Sequence, residues 1–272
     1  MPYPILKLPY GFQQRLRGLA TPKERYNVQV AVGLGKNYLG PLQMCFRDSE
    51  CSDFRLKQFQ IHGNDGLRRD AENDNLFILE GTLRIYSFKP SDYYDHFYDH
   101  FLIKSDAFLM AGMEHPDVPQ KLAKLCDPNL VTYLTAGTCR SDVNLDLIVD
   151  NFKNIEFIDI EFPDYQSNWM QDMLKFKNLK LTCLDIKSQF EKLFCFEPEE
   201  LSQLYKNLPP TFRLILSCNK PPENASELVR QKLGPHFKEI NSESRNTGGY
   251  DGFLIINLHD FLCFEVIEQT TL

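Results

Sequence analysis

The sequence has no Cys-x-x-Cys pair, no apolar run of bilayer length and no excess of basic residues. Each absence removes a class of function. The eight cysteines, Cys45, Cys51, Cys126, Cys139, Cys183, Cys195, Cys218 and Cys263, are scattered along the chain, which sets aside a zinc or dithiol motif. The first twenty residues carry Lys7, Arg15 and Arg17 and lack a continuous apolar core, so a signal peptide is not expected. The thiols are then expected to be reduced, the compartment cytoplasmic or nuclear, and the Asn224-Ala225-Ser226 sequon unglycosylated. A formal net charge of −7 offers no basic footprint, so neither nucleic acid nor a membrane is an expected partner. Catalytic signatures are missing as well. There is no Gly-x-Ser-x-Gly and no reasoned Cys–His pairing, and Gly33-Leu34-Gly35-Lys36 lacks the rest of a phosphate loop. The chain reads as a non-enzyme with no cofactor.

What is present is a globular composition, 43% hydrophobic and 25% charged over 272 residues, enough for one large domain or two small ones. An apolar ladder opens at Leu8-Pro9 and continues through Phe12, Leu16, Leu19, Pro22, Tyr26, Val28 and Val30. Proline suits the start of a helix, where its missing N–H is not needed. Phe12, Leu16 and Leu19 recur at helical spacing and place an apolar stripe on that helix. Thr21 as N-cap, Pro22 at the first helical position and Glu24 in the first turn start a second helix. Two short helices cannot bury this surface alone, so they pack on the rest of the chain or on a partner.

The segment from Tyr3 to Ala31 resembles an F-box. Leu8-Pro9, Leu16 and Pro22 stand at the positions of the family's Leu-Pro pair, later apolar residue and proline, with Phe12 in the first turn. The resemblance implies docking on a Skp-type adaptor through Leu8, Pro9, Phe12, Leu16, Leu19, Pro22, Tyr26 and Val28. Gln13, Gln14 and Arg25 depart from the family pattern, and the third helix looks shortened after Val32. These departures favour the rival reading, an internal cap on the following domain.

Residues from about 42 to 111 read as strands: Leu42–Phe46, Leu56–Ile61, Leu76–Leu79, Leu83–Phe88 and Phe101–Met110. Glu80-Gly81-Thr82 marks a hairpin or a bulge, and Gly63–Asn75 a loop. From about residue 116, helix and strand alternate. Expected helices are Val118–Leu125, Asp142–Phe152, Trp169–Phe176, Glu199–Leu208 and one from Asn224 or Ser226 to Leu233. Expected strands are Leu130–Leu134, Ile155–Ile160, Leu181–Ile186, Phe212–Leu216 and Phe237–Ile240. Ile155-x-x-Ile158-x-Ile160 matches Leu181-x-x-Leu184-x-Ile186 at a step of 26 residues, and Leu214-x-Leu216-x-x-Asn219 repeats the second half 30 residues later. These strands resemble degenerate leucine-rich repeats, with the repeat asparagine present only at Asn219. Stacked units of this kind form a curved parallel sheet; the alternative is a generic α/β layer protein.

Arg245, the turn Asp251-Gly252 and the strand pair Phe253–Ile256 and Phe261–Val266 resemble the end of nematode F-box-associated domains. Those proteins share the order of the whole chain. The resemblance implies an α+β to α/β fold: a helical F-box-like segment over residues 1–40, then over 41–272 a β-rich region and a leucine-rich-repeat-like sheet closed by a hairpin. Phe253, Ile255, Phe264 and Val266 are expected to cover the end of the stack. The function it implies is substrate recognition in a cullin-RING (SCF-type) ubiquitin ligase.

If Ile158, Ile160, Leu184, Ile186, Leu214 and Leu216 point inward, then Phe157, Asp159, Glu161, Cys183, Asp185, Lys187, Arg213 and Ile215 face the concave side. Phe157, Asp159, Asp185, Arg213 and Ile215 are the candidate contacts for an unidentified target protein. His96 and His100, four apart beside Asp95 and Asp99, have metal-ligand composition and would support a rival metal-dependent enzyme. The interleaved Tyr93, Tyr94, Phe97 and Tyr98 argue instead for an amphipathic helix on the sheet.

Overall fold

The computed structural model describes residues 7–33, 41–48, 51–55, 60–62, 68–70, 74–86, 99–113, 115–140, 142–162, 168–177, 179–234, 236–240 and 252–266. Proline sets where the first two helices begin. Pro9 precedes α1 (Tyr10–Leu19), and Pro22 takes the first turn of α2 (Pro22–Val32). The Thr21 hydroxyl accepts from the Glu24 N–H at 3.3 Å, and the Glu24 carboxylate accepts from the Thr21 N–H at 2.9 Å. This reciprocal capping box satisfies two donors that the helix itself cannot.

Four short strands follow: β1 (Cys45–Asp48), β2 (Cys51–Arg55), β3 (Gln60–His62) and β4 (Arg68–Asp70). The strand expected from Leu42 therefore starts later, and the expected loop at 63–75 contains β4. The runs expected as two strands around Gly81 are one strand, β5 (Leu76–Tyr86), paired in parallel with β6 (Phe101–Met113). Their register slips between Glu80 and Thr82, with Gly81 at φ 76°. Of the two alternatives for Glu80-Gly81-Thr82, the bulge is the one adopted.

Helix and strand then alternate: α3 (Val118–Leu125), β7 (Tyr133–Cys139), α4 (Leu145–Asn151), β8 (Phe157–Phe162), α5 (Trp169–Leu174) and β9 (Cys183–Ser188). After these come α6 (Phe190–Leu193), α7 (Pro198–Asn207), β10 (Arg213–Cys218), α8 (Ala225–Leu233), β11 (Phe237–Glu239), β12 (Phe253–Asn257) and β13 (Phe261–Val266). β7, β8 and β9 start two or three residues later than the apolar pattern suggests and β10 one later, whereas β11, β12 and β13 start where expected. Val131, Ile155, Leu181 and Phe212 are fully buried in the turns before their strands, so their hydrophobicity reports burial and not pairing. In those same turns a lateral ladder links successive units: the N–H of Thr132 donates to Asp106, Glu156 to Thr132, Thr182 to Glu156 and Arg213 to Thr182, at 2.8–2.9 Å. Asp142 does not cap α4. It pairs with Arg140 at 3.1 Å, while Asn144 holds the cap position. The short α6 was not expected.

Among the described residues the strands form one sheet in the order β11-β13-β12-β10-β9-β8-β7-β6-β5-β2-β3-β4, with β1 also on β5. From β5 to β10 every neighbour is the next strand in the chain, and all pair in parallel. Such neighbours need crossovers; α3 to α7 supply those from β6 to β10 on one face, α8 follows β10, and most of the β5–β6 connection lies outside the described residues. Leu134, Ile158, Leu184, Leu214 and Leu254 lie in register across that face and are fully buried. They form a single core with the helix residues Leu122, Ile148, Met170, Leu201 and Val229. Trp169 is anchored within it, its indole N–H donating to the Leu193 carbonyl at 3.1 Å. Asn219, expected to mark the repeat, is exposed.

The hairpin β12–β13 closes the sheet, with β12 parallel to β10 and β11 antiparallel to β13. Its inward residues are Leu254, Ile256, Leu262 and Phe264. Phe253 and Ile255, expected to cover the stack, are instead half-exposed on the opposite face, because the pleat is one residue out of phase with that expectation. Val266's side chain, Arg245 and Asp251 lie outside the described residues.

Three stability predictions follow from this packing. A Cβ on Gly137 would lie 2.3 Å from the Ala111 carbonyl oxygen, and one on Gly112 2.4 Å from that of Thr138. Backbone cannot yield as a side-chain tip does, so Gly137→Ala should lose roughly 2–3 kcal/mol, about 5–10 °C in Tm. The exposed Gly18→Ala in α1, with nothing near its Cβ, should be neutral or stabilising by up to about 1 kcal/mol. Truncation after Arg245 removes the strands that cover Leu214 and Leu216 at the sheet's end. It should give insoluble or molten protein, checked by solubility and near-UV circular dichroism.

Candidate interaction surfaces

The N-terminal hairpin divides its residues between two tasks. Pro22, Tyr26 and Gln29 recur on one face of α2 and are buried. Tyr26 packs with Leu76 and Ile78 of β5, and Leu102 of β6 adds to the cluster. These sheet residues alternate with Phe77 and Leu79, which face the main core, so α2 lies on the sheet face opposite the crossover helices.

Polar groups brace the same contact. Arg25 is bonded to Asp74, its Nε donates to Gln43 Oε1 at 2.8 Å, and an η-nitrogen donates to the Ala20 carbonyl at 3.1 Å. Gln29 Oε1 accepts from the Gln43 N–H at 2.9 Å, and Arg47 donates to the Tyr26 hydroxyl at 3.1 Å. The Lys23 N–H reaches the Asp99 carbonyl at 2.9 Å. Arg25, Gln29 and Gln43 are structural residues that the apolar pattern could not reveal. Gln13, the other departure from the F-box pattern, is buried with its amide donating to the Leu8 carbonyl at 2.7 Å.

On α1 the arrangement reverses. Phe12 is 62% exposed, Leu16 39% and Leu19 76%. Leu8 is half-exposed and Pro9 exposed. Val28, half-buried, lines a hollow between the helices with Leu16, Ala20 and Arg25. Pro22 and Tyr26 depart from the expected docking set, since their surface is spent inward. Phe12, Leu16 and Leu19 form a stripe along α1 with no cover among the described residues, a patch that favours association in water.

The second surface is the sheet face left open by the crossover helices. Tyr133, Phe157, Cys183, Arg213 and Phe253 form one row across it in register, and Thr135, Asp159, Asp185, Ile215 and Ile255 the next. All five expected target contacts, Phe157, Asp159, Asp185, Arg213 and Ile215, are half-buried there side by side. The rings of Tyr133 and Phe157 stack at 4.3 Å with 4° between their planes. Cys183 is on this face but only 2% exposed, so it is no contact. Burial, then the charge of Asp159, pushes the Asp185 carboxyl up to about 6, partly offset by Lys187. Asp159 is raised too, chiefly by burial. Ile255 and Tyr133 join this surface through sheet register, which the sequence did not disclose.

His96 lies outside the described residues. His100 stands in the turn before β6 with Nδ1 3.0 Å from the Asn75 carbonyl oxygen. Among the described residues no three His, Cys, Asp or Glu side chains are placed to hold a metal ion, and no helix is long and apolar enough to cross a membrane. Cys126 and Cys139 are pushed up to about 12 by burial, which keeps both thiols protonated and unreactive.

The Asp185 carboxyl yields a pH prediction. Its folded value lies above the ordinary value of 3.8, so the folded state binds more protons between roughly pH 4 and 6. Its contribution to stability is therefore lost as pH rises through that window. Asp185→Asn should raise stability at pH 7–8 by about 1–2 kcal/mol, a figure reduced for solvent screening. The gain over wild type should vanish near pH 4. Parallel thermal melts across pH test it; a constant difference would contradict it.

Compared with known proteins, the chain matches no family model, no curated protein and no solved structure.

Proposed function

We propose that this protein is a non-catalytic substrate-recognition adaptor of a cullin-RING (SCF-type) ubiquitin ligase, working in the cytoplasm or nucleus. Its α1 helix would dock on a Skp-type adaptor, and the open sheet face of its leucine-rich-repeat-like domain would capture a target protein. The observation that carries this reading is the uncovered stripe of Phe12, Leu16 and Leu19 on a helix whose neighbour is pinned to the fold. A helix kept only to cap the domain would turn these residues inward. The F-box-like spacing of Leu8-Pro9, Leu16 and Pro22 supports the choice of partner, and the one-sided parallel stack supports a repeat-type capture surface.

A second reading keeps the hairpin as an internal brace, and the buried Tyr26, Gln29 and Arg25 favour it for α2. The two readings separate experimentally. Leu8→Ala with Leu16→Ala should abolish capture of a purified Skp-type adaptor in a pull-down while Tm stays within about 2 °C of wild type, because exposed positions contribute little to folding. Tyr26→Ala should instead cost about 3–5 kcal/mol locally and expose the N-terminal helices to limited proteolysis. Undiminished capture by the double variant, or its global unfolding, would overturn the proposal.

A further inference from the structure

On a sheet, like charges held directly opposite one another are destabilising. The open face obeys this at Glu161, which stands across from Lys187, and breaks it at Asp159, which stands across from Asp185. The pair's immediate neighbours in register are Thr135 on β7 and Ile215 on β10, and Lys187, two residues along β9 on the same face, only partly offsets the two charges. Asp185 Oδ1 and Thr135 Oγ1 are buried without a hydrogen-bond partner, although each desolvated group of this kind costs about 1–3 kcal/mol when left unpaired. Around these unmet acceptors the face mixes apolar and charged groups, with Arg213 in one adjoining row and Glu161 and Lys187 in the other. The stacked rings of Tyr133 and Phe157 occupy the first of these rows, and Ile215 and Ile255 continue the row of the aspartates.

Two opposed carboxylates, only partly offset by Lys187, beside an aromatic pair complement a planar cation carried on an apolar stem. A guanidinium bonds two acceptors in one plane and lies favourably against rings, and it is more weakly hydrated than an ammonium. Resting on the reading of the open sheet face as the target-capturing surface, we propose that this face recognises an arginine side chain of the target, seated on Asp159 and Asp185 beside Tyr133 and Phe157, with a neighbouring apolar residue of the target over Ile215 and Ile255. The charge repulsion built into the free face is then relieved on binding, which makes the pair a source of specificity and a local liability in the unbound fold.

The test uses the full chain and fluorescent hexapeptides with valine flanks whose central residue is arginine, its neutral isostere citrulline, lysine or glutamate. Polarisation should show the arginine peptide binding at least about tenfold tighter than the citrulline peptide, a preference that weakens with added salt. Asp159→Asn with Asp185→Asn should erase that preference, and the Asn pair should melt no lower than wild type because a repulsion has been removed. Should the double variant fail to fold, the arginine-to-citrulline ratio on wild-type protein at two salt concentrations still decides. Equal binding of the two peptides, tighter binding of the glutamate peptide, no binding of any, or an unchanged preference in the Asn pair would each overturn the inference. The variant with Leu8→Ala and Leu16→Ala should keep the peptide preference, so failure of adaptor docking and failure of arginine recognition are read separately.

Discussion

One-sided burial governs this protein. Parallel neighbours in chain order need a crossover for every strand, and from β6 onward α3 to α8 deliver theirs to the same face. Each unit then buries an apolar row, such as Leu134–Ile158–Leu184–Leu214, that its neighbours complete. The consequence is a second face that, among the described residues, has no helical layer over β7 to β10. That face carries stacked rings, an aspartate pair and two isoleucines, a composition poorly suited to lie bare in water. Among the described residues α2 covers it at β5 and β6.

The same constraint explains the two ends of the sheet. A stack of repeating units leaves an apolar face at each end, and each must be closed by something that is not a further unit. The hairpin β12–β13 does this beside β10, with β11 added antiparallel at the margin. At the other end β5 pairs with both β1 and β2 and takes α2 against Leu76 and Ile78. The polar brace from Arg25 to Asp74 and from Gln29 to Gln43 sets the position of the hairpin more specifically than apolar contact alone could. Because α2 is fixed in this way, α1 is held out with its stripe facing solvent.

The sequence alone determined the alternation of helix and strand from residue 116, the inward set on β8 to β10 and the capping box at Thr21, because each rests on local periodicity or local hydrogen bonding. It also disclosed which residues of β8 to β10 share the open face, since alternate positions in a strand point the same way. Tertiary structure decided the rest. Strand limits shifted because apolar residues such as Ile155 and Leu181 fill turns. The phase of β12 depended on its partner β10, which put Leu254 and Ile256 inward in place of Phe253 and Ile255. The fate of the N-terminal ladder was open for the same reason: one apolar pattern serves both a core and an interface, and only packing against β5 separated the buried Tyr26 from the exposed Phe12 and Leu19. The correspondence of Asp159 and Asp185 follows the 26-residue step legible in the sequence, but only the parallel pairing of β8 with β9 set the two carboxylates side by side.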